Sequence, residues 1–91
     1  MSAYVYMLTC ADDTIYTGWT TDIEHRLMTH NLGKGAKYTR ARLPVMLAFS
    51  EECESRSDAQ KREYVLRNLP REEKKKIIAA YAELHKTKEP L

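Results

Sequence analysis

The chain is poor in the residues that cross-link or punctuate a backbone: 91 residues hold two cysteines, three glycines and three prolines. Cys10 and Cys53 stand far apart without CxxC spacing, and no basic-then-apolar leader opens the sequence. Both features predict a reducing, cytoplasmic setting. No apolar run approaches the roughly 20 residues of a membrane-spanning helix, which predicts a soluble chain. The three histidines, His25, His30 and His85, lack metal-ligand spacing, no Ser/His/Asp set stands out, and there is no P-loop. The commonest enzyme classes are thereby removed. A dominant charge is missing too: 15 Lys and Arg against 13 Asp and Glu leave a net +2. That value is too small to argue nucleic-acid binding unaided, so the placement of the charges carries more weight.

What is present suffices for one modest core. Apolar residues at 43% and charged residues at 31% lie in the globular range. A chain of this length buries roughly 60–65% of its unfolded surface as one domain. That domain is expected over residues 1–85, followed by a frayed tail at 86–91 (KTKEPL).

Residues 3–9 (AYVYMLT) and 15–19 (IYTGW) are β-branched and aromatic around a turn-like CADDT, which predicts a hairpin holding three of the six tyrosines. Strand side chains alternate, so the loop length decides which residues share a face. An odd loop, Ala11–Asp13 or Cys10–Thr14, sets Leu8 opposite Tyr16 and Tyr6 opposite Gly18, with all four on one face. A two-residue Asp12-Asp13 turn would separate the tyrosines, but that turn prefers glycine at its second position. Gly18 opposite Tyr6 then leaves open volume over the backbone, where a ligand can approach closely.

Residues 20–33 read as a helix, with Thr21 and Glu24 as a capping box and Gly33 as the stop. Ile23, Leu27 and Asn31 form its apolar stripe, with Arg26 and His30 along the edge. A loop follows at 33–42 (GKGAKYTRAR), in which Lys34, Lys37, Arg40 and Arg42 surround Tyr38. Residues 45–50 (VMLAFS) are continuously apolar and predict a central strand. Ser57 with Gln60 opens a helix to about Leu69, with Ala59, Leu66 and Leu69 inward and Glu63 at the stripe's edge. Pro70 separates a last helix, 71–85, whose face is Ile77, Ile78, Tyr81 and Leu84. The order is β-β-α-β-α-α, an α+β fold with a three-stranded sheet and helices packed on it.

"YVY" at 4–6, "YTG" at 16–18, Arg26, "HN" at 30–31 and Glu63, in this order and spacing, resemble the GIY-YIG nuclease domain. The stretches GKGAKYTRAR and RSDAQKRE make the chain similar to small stand-alone bacterial members of that superfamily, and the likeness extends to the N-terminal nuclease domain of the excision-repair subunit UvrC. The resemblance runs from Ser2 to about Ile78. It implies a three-stranded antiparallel sheet flanked by helices, and cleavage of DNA phosphodiesters with a tyrosine general base and one Mg²⁺ or Mn²⁺. Carried across, it places Tyr6, Tyr16, Arg26 and His30 in the catalytic site and Glu63 on the metal. Lys34, Lys37, Tyr38, Arg40 and Arg42 are then the nucleic-acid contacts. The implied substrate is DNA, in flexible, branched or damaged forms, with a protein partner as a source of specificity.

Spacing leaves the choice of base open between the two tyrosines, and Tyr6 is placed first with Tyr16 in support. A tyrosine of ordinary pKa, about 10, is a weak base at neutral pH and needs a neighbouring cation. UvrC has a lysine directly after its second motif where this sequence has Trp19, so the cation is expected from Lys34, Lys37 or His30. Plainer roles compete for each residue. The tyrosines suit any strand, Arg26 suits an ion pair with Asp22, and Glu63 suits one with Arg67. Two other functions are compatible with the same residues: a nucleic-acid-binding module without catalysis, and a protein-interaction domain on the same fold.

Overall fold

A computed structural model describes residues 2–85; the expected frayed tail, 86–91, lies outside the described residues. Strands β1 (Ala3–Thr9) and β2 (Ile15–Thr20) form the hairpin. Its loop is the longer of the two odd alternatives. The Cys10 N–H donates to the Thr14 carbonyl and the Asp13 N–H to the Cys10 carbonyl, each at 2.9 Å. Asp13 has φ 68°, a left-handed conformation that aspartate tolerates better than most residues. The Asp12 carboxylate closes the loop by accepting from the Thr14 hydroxyl at 2.6 Å. Leu8 consequently pairs with Tyr16 and Tyr6 with Gly18.

The sheet order is β2-β1-β3, antiparallel throughout, so the expectation of a central third strand is corrected. β3 (Met46–Cys53) is an edge and β1 is the centre. The reason lies in the hairpin, which leaves one side of β1 open for β3 to pair with. Met46 is accordingly 70% exposed, whereas Val5, Tyr6, Met7 and Leu8 of β1 are all buried. Met7 pairs with Phe49 but Leu8 with Leu47, so Ala48 forms a bulge in β3.

Each sheet face has its own core. On one, Val5, Met7, Phe49 and Leu66 pack with Ile77, Ile78 and Tyr81 beneath α3 (Arg56–Arg67) and α4 (Arg71–His85). On the other, Tyr6, Leu8, Cys10 and Val45 pack with Tyr16, Ile23 and Leu27 beneath α1 (Ile23–Asn31). Leu84, expected on the buried face of α4, is 79% exposed. The packed stripe ends at Tyr81, whose ring meets Phe49 edge-on at 5.4 Å.

The helix starts differ from the expected capping boxes because a neighbouring residue takes the cap position. Asp22, not Thr21, caps α1, accepting from the His25 N–H at 3.1 Å. Ser55, not Ser57, caps α3, accepting from the Asp58 N–H at 3.1 Å. Gly33 does end α1, with φ +80° and its N–H on the His30 carbonyl at 2.9 Å. Asn31 holds the entry to β3 from both sides: its Oδ1 accepts from the Val45 N–H at 2.8 Å and its Nδ2 donates to the Val45 carbonyl at 3.1 Å. The expected loop 33–42 contains one helical turn, α2 (Lys37–Arg40), and that turn brings Thr39 into the interior.

Candidate active site

The register of β1 and β2 sets Tyr6 and Tyr16 on one face with ring centroids 6.3 Å apart. Their surroundings differ sharply. Tyr6 is 2% exposed, and its hydroxyl lies 2.9 Å from His30 Nε2. His30 is wholly buried, with Nδ1 2.8 Å from Thr39 Oγ1. The Thr39 hydroxyl donates its single hydrogen to the Ala36 carbonyl at 2.9 Å, so toward His30 it can only accept. His30 therefore carries its proton on Nδ1 and accepts on Nε2, and Tyr6 donates. The chain of donors runs Tyr6 to His30 to Thr39 to the backbone.

Burial and the positive charge of Arg26 both hold the His30 pKa below the ordinary histidine range, consistent with a neutral ring. Burial raises the Tyr6 phenol, and Arg26 offsets this in part by hydrogen bonding and charge. The Arg26 guanidinium, its own pKa raised mainly by Tyr6, acts on both phenols. Arg26 forms no side-chain ion pair with Asp22; only its backbone N–H reaches the Asp22 carbonyl, at 3.0 Å.

Two glycines make this packing possible. A Cβ on Gly18 would stand 2.7 Å from Tyr6 Oη and 3.0 Å from Tyr16 Cε2. The volume expected there for a ligand is thus filled by the phenols themselves. A Cβ on Gly35 would collide with His30 Nδ1 and stand 2.9 Å from the His30 Cα.

Tyr16 is half-buried, its ring edge-on to His30 at 5.3 Å and stacked on Tyr38 at 6.1 Å. It opens onto a pocket of about 280 Å³ lined by Ile15, Tyr16, Thr17, Tyr38, Glu63, Arg67 and Lys74. Glu63 reaches this pocket from α3 with its side chain 13% exposed, and Arg67 Nη1 donates to its Oε2 at 2.7 Å. The plainer role weighed for Glu63, an ion pair with Arg67, is therefore formed as well.

The sequence pattern of the GIY-YIG catalytic domain matches residues 2–89. The chain belongs to the GIY-YIG family. It is 49% identical to the UPF0213 protein SH2523 of Staphylococcus haemolyticus over 82% of this chain and 92% of that one. With the UPF0213 protein SAG0778 of Streptococcus agalactiae it shares 48% identity over 96% and 94%. Its fold is similar to the solution NMR structure of the UPF0213 protein BH0048 of Bacillus halodurans. That similarity has TM-score 0.59 and 37% identity, and covers 99% of this chain and 100% of that one.

In this GIY-YIG domain, Tyr6, Tyr16, Arg26 and His30 form one cluster, and Glu63 shares a pocket with Tyr16. The basic loop divides into two groups. Lys34, Lys37 and Arg40 are exposed, with no ion-pair partner among the described residues. Arg42 instead donates to Asp12 Oδ2 at 3.0 Å and to the Tyr38 carbonyl at 2.7 Å, with its guanidinium 3.9 Å from the Tyr38 ring centre. Its Nε and Nη1 are engaged within the chain, and Tyr38 lies between Arg42 and Tyr16.

The donor set suits a hard, weakly held divalent cation. Glu63 supplies one carboxylate, and Thr17, lining the same pocket, has a buried hydroxyl with no hydrogen-bond partner. Among the described residues no group of three His, Cys, Asp or Glu could cage a metal. A Mg²⁺ or Mn²⁺ there would keep most of its waters. No helix among the described residues is long and apolar enough to cross a membrane.

Sequence reasoning overlooked Thr39, Gly35, Thr17 and Lys74. Only Lys74 left a signal: positions 74, 77, 78 and 81 form one helical stripe, so its place on the buried side of α4 follows from periodicity.

Proposed function

We propose that this protein is a divalent-metal-dependent endonuclease that hydrolyses DNA phosphodiesters with low sequence specificity, and that Tyr16, not Tyr6, takes the proton of the attacking water. The contrast between the two phenols carries this reading. Tyr6 is sealed from solvent and donates to a neutral His30, whereas Tyr16 borders the pocket that holds Glu63. A general base must reach the water whose proton it takes, so exposure decides between residues that spacing leaves equal.

Arg26 lies against both phenols, where it stabilises the negative charge of a phenolate base and offers a planar fork to the non-bridging phosphate oxygens. Tyr6, His30 and Thr39 act as positioning residues: their hydrogen-bonded chain fixes the His30 ring against which Tyr16 rests. Glu63 would hold the cation, whose Lewis acidity would stabilise the leaving oxygen. Affinity comes from phosphate contacts by Lys34, Lys37 and Arg40 and falls with salt.

The test is nicking of supercoiled plasmid and of a branched oligonucleotide, with Mn²⁺ or with chelator, by wild type, Glu63→Gln, Tyr16→Phe and Tyr6→Phe. Metal-dependent nicking that disappears in Glu63→Gln and Tyr16→Phe and survives at a reduced rate in Tyr6→Phe is expected. Silence of the wild type on every DNA form, or undiminished cleavage by Tyr16→Phe, rejects the proposal. The Glu63–Arg67 pair favours one alternative, a binding module without catalysis, in which Glu63→Gln binds DNA as wild type does and neither protein cuts.

A further inference from the structure

Three consecutive lysines open the second turn of α4, and the fold treats them differently. Lys75 and Lys76 are exposed, and Lys76 pairs with Glu73 at 3.3 Å. Lys74 is half-buried on the stripe that continues through Ile77, Ile78 and Tyr81, and it lines the pocket with Tyr16, Glu63 and Arg67. Among the described residues it has no carboxylate partner. The pocket's one carboxylate is already matched by Arg67, so the Lys74 charge is left over. Burial, and secondarily the charge of Arg67, push the Lys74 pKa down. A half-sheltered cation without a counterion, facing an open pocket, is a site for an anion. A lysine offers it a compact point charge suited to a single phosphate oxygen.

We propose that Lys74 binds a phosphate of the DNA backbone within the Tyr16–Glu63 pocket. The ligand class rests on the nuclease reading; the unmatched charge does not. Lys34 and Lys37, considered from sequence for the same duty, line no part of this pocket.

The test is equilibrium binding of a short fluorescein-labelled duplex in chelator across a salt series, by wild type, Lys74→Met, Lys74→Arg and Lys75→Met. Loss of one phosphate contact lowers the slope of log K against log salt by about 0.9. That decrease is expected for Lys74→Met, with retention in Lys74→Arg and no change in Lys75→Met. An unchanged slope in Lys74→Met, or an equal fall in Lys75→Met, overturns the proposal. Where Lys74→Met melts early, Lys74→Gln against Lys74→Arg, read below both transitions, gives the same decision. A second readout separates the two hypotheses. If wild type never nicks DNA but the Lys74→Met slope falls, the phosphate site stands and the nuclease reading fails. If wild type nicks with metal while Lys74→Met keeps its slope and its KM, Lys74 fails alone.

Discussion

Replacing Gly35 with alanine is the most demanding test of the packing around the candidate site. The added Cβ would overlap His30 Nδ1, stand 2.8 Å from His30 Cγ and stand 2.9 Å from the His30 Cα. The first two clashes are relieved by moving the ring, but the third is with backbone inside α1 and cannot be relieved by a rotamer change. Moving the ring breaks the bonds from Tyr6 and to Thr39, both in a buried site. Overpacking a filled interior costs about 1–3 kcal/mol, and stranding a buried polar partner about 1–3 kcal/mol more. A total of about 2–6 kcal/mol corresponds to a fall in Tm of roughly 10–50 °C for a domain of this size. Urea unfolding of wild type, Gly35→Ala, His30→Ala and the double variant measures it. Removing the imidazole relieves the clash with the ring but leaves the clash with the α1 backbone in place. The double variant should therefore be more stable than the sum of the single effects, yet less stable than His30→Ala alone. A Gly35→Ala loss below about 0.5 kcal/mol, the scale of an ordinary surface substitution, would refute the reasoning.

Tyr6→Phe and Tyr16→Phe should separate stability from activity. Tyr6→Phe leaves His30 Nε2 unpaired in a buried site and costs about 1–3 kcal/mol by chemical denaturation, while Tyr16→Phe costs far less; similar losses would contradict the assigned donor chain. The depressed His30 pKa means that the folded state prefers the neutral ring while the unfolded chain takes up a proton near 6.5. Stability contributed there is present above that pH and declines as pH falls below it, so wild type should lose stability more steeply on acidification than His30→Gln; parallel curves would exclude this linkage. Because Arg67 occupies the Glu63 carboxylate, Arg67→Gln should bind Mn²⁺ about two- to fivefold more tightly in calorimetry, the equivalent of an exposed ion pair, and Glu63→Gln should abolish binding in either background. Weaker Mn²⁺ binding by Arg67→Gln would show that the pair organises the carboxylate instead of competing for it.

The parts of the fold legible in the sequence are those controlled by local periodicity. The pairing of Tyr6 with Gly18 followed from an odd loop and a two-residue repeat, and the bounds of α4 followed from Pro70 and an apolar stripe. What escaped was decided by competition or by long-range pairing. Thr21 and Asp22 both suit an N-cap, as do Ser55 and Ser57, and the choice depends on which amide each can reach in three dimensions. VMLAFS is apolar enough for a central strand, yet its place at the edge depends on which side of β1 the hairpin leaves open. Thr39 left no pattern at all. Its role exists only because a single helical turn folds it beneath His30.

The same distinction between centre and edge explains how two tyrosines that look equivalent in sequence come to lie in different surroundings. β1 pairs on both sides and is covered on both faces, so its middle side chains from Val5 to Leu8 are sealed, and in the proposed reaction Tyr6 serves by holding something else in place. β2 pairs on one side only, so Tyr16 lies on an edge strand and borders a pocket that α3 and α4 line with Glu63, Arg67 and Lys74. A residue that must exchange protons with water and also keep a rigid orientation is best placed at such an edge, with its ring backed by buried neighbours. Gly18 and Gly35 give that backing its closeness, one beneath the phenols and the other against the imidazole. In the proposed reaction the chemistry belongs to the edge strand and its positioning to the central one, and the two are joined through His30, which meets Tyr6 by a hydrogen bond and Tyr16 by its ring.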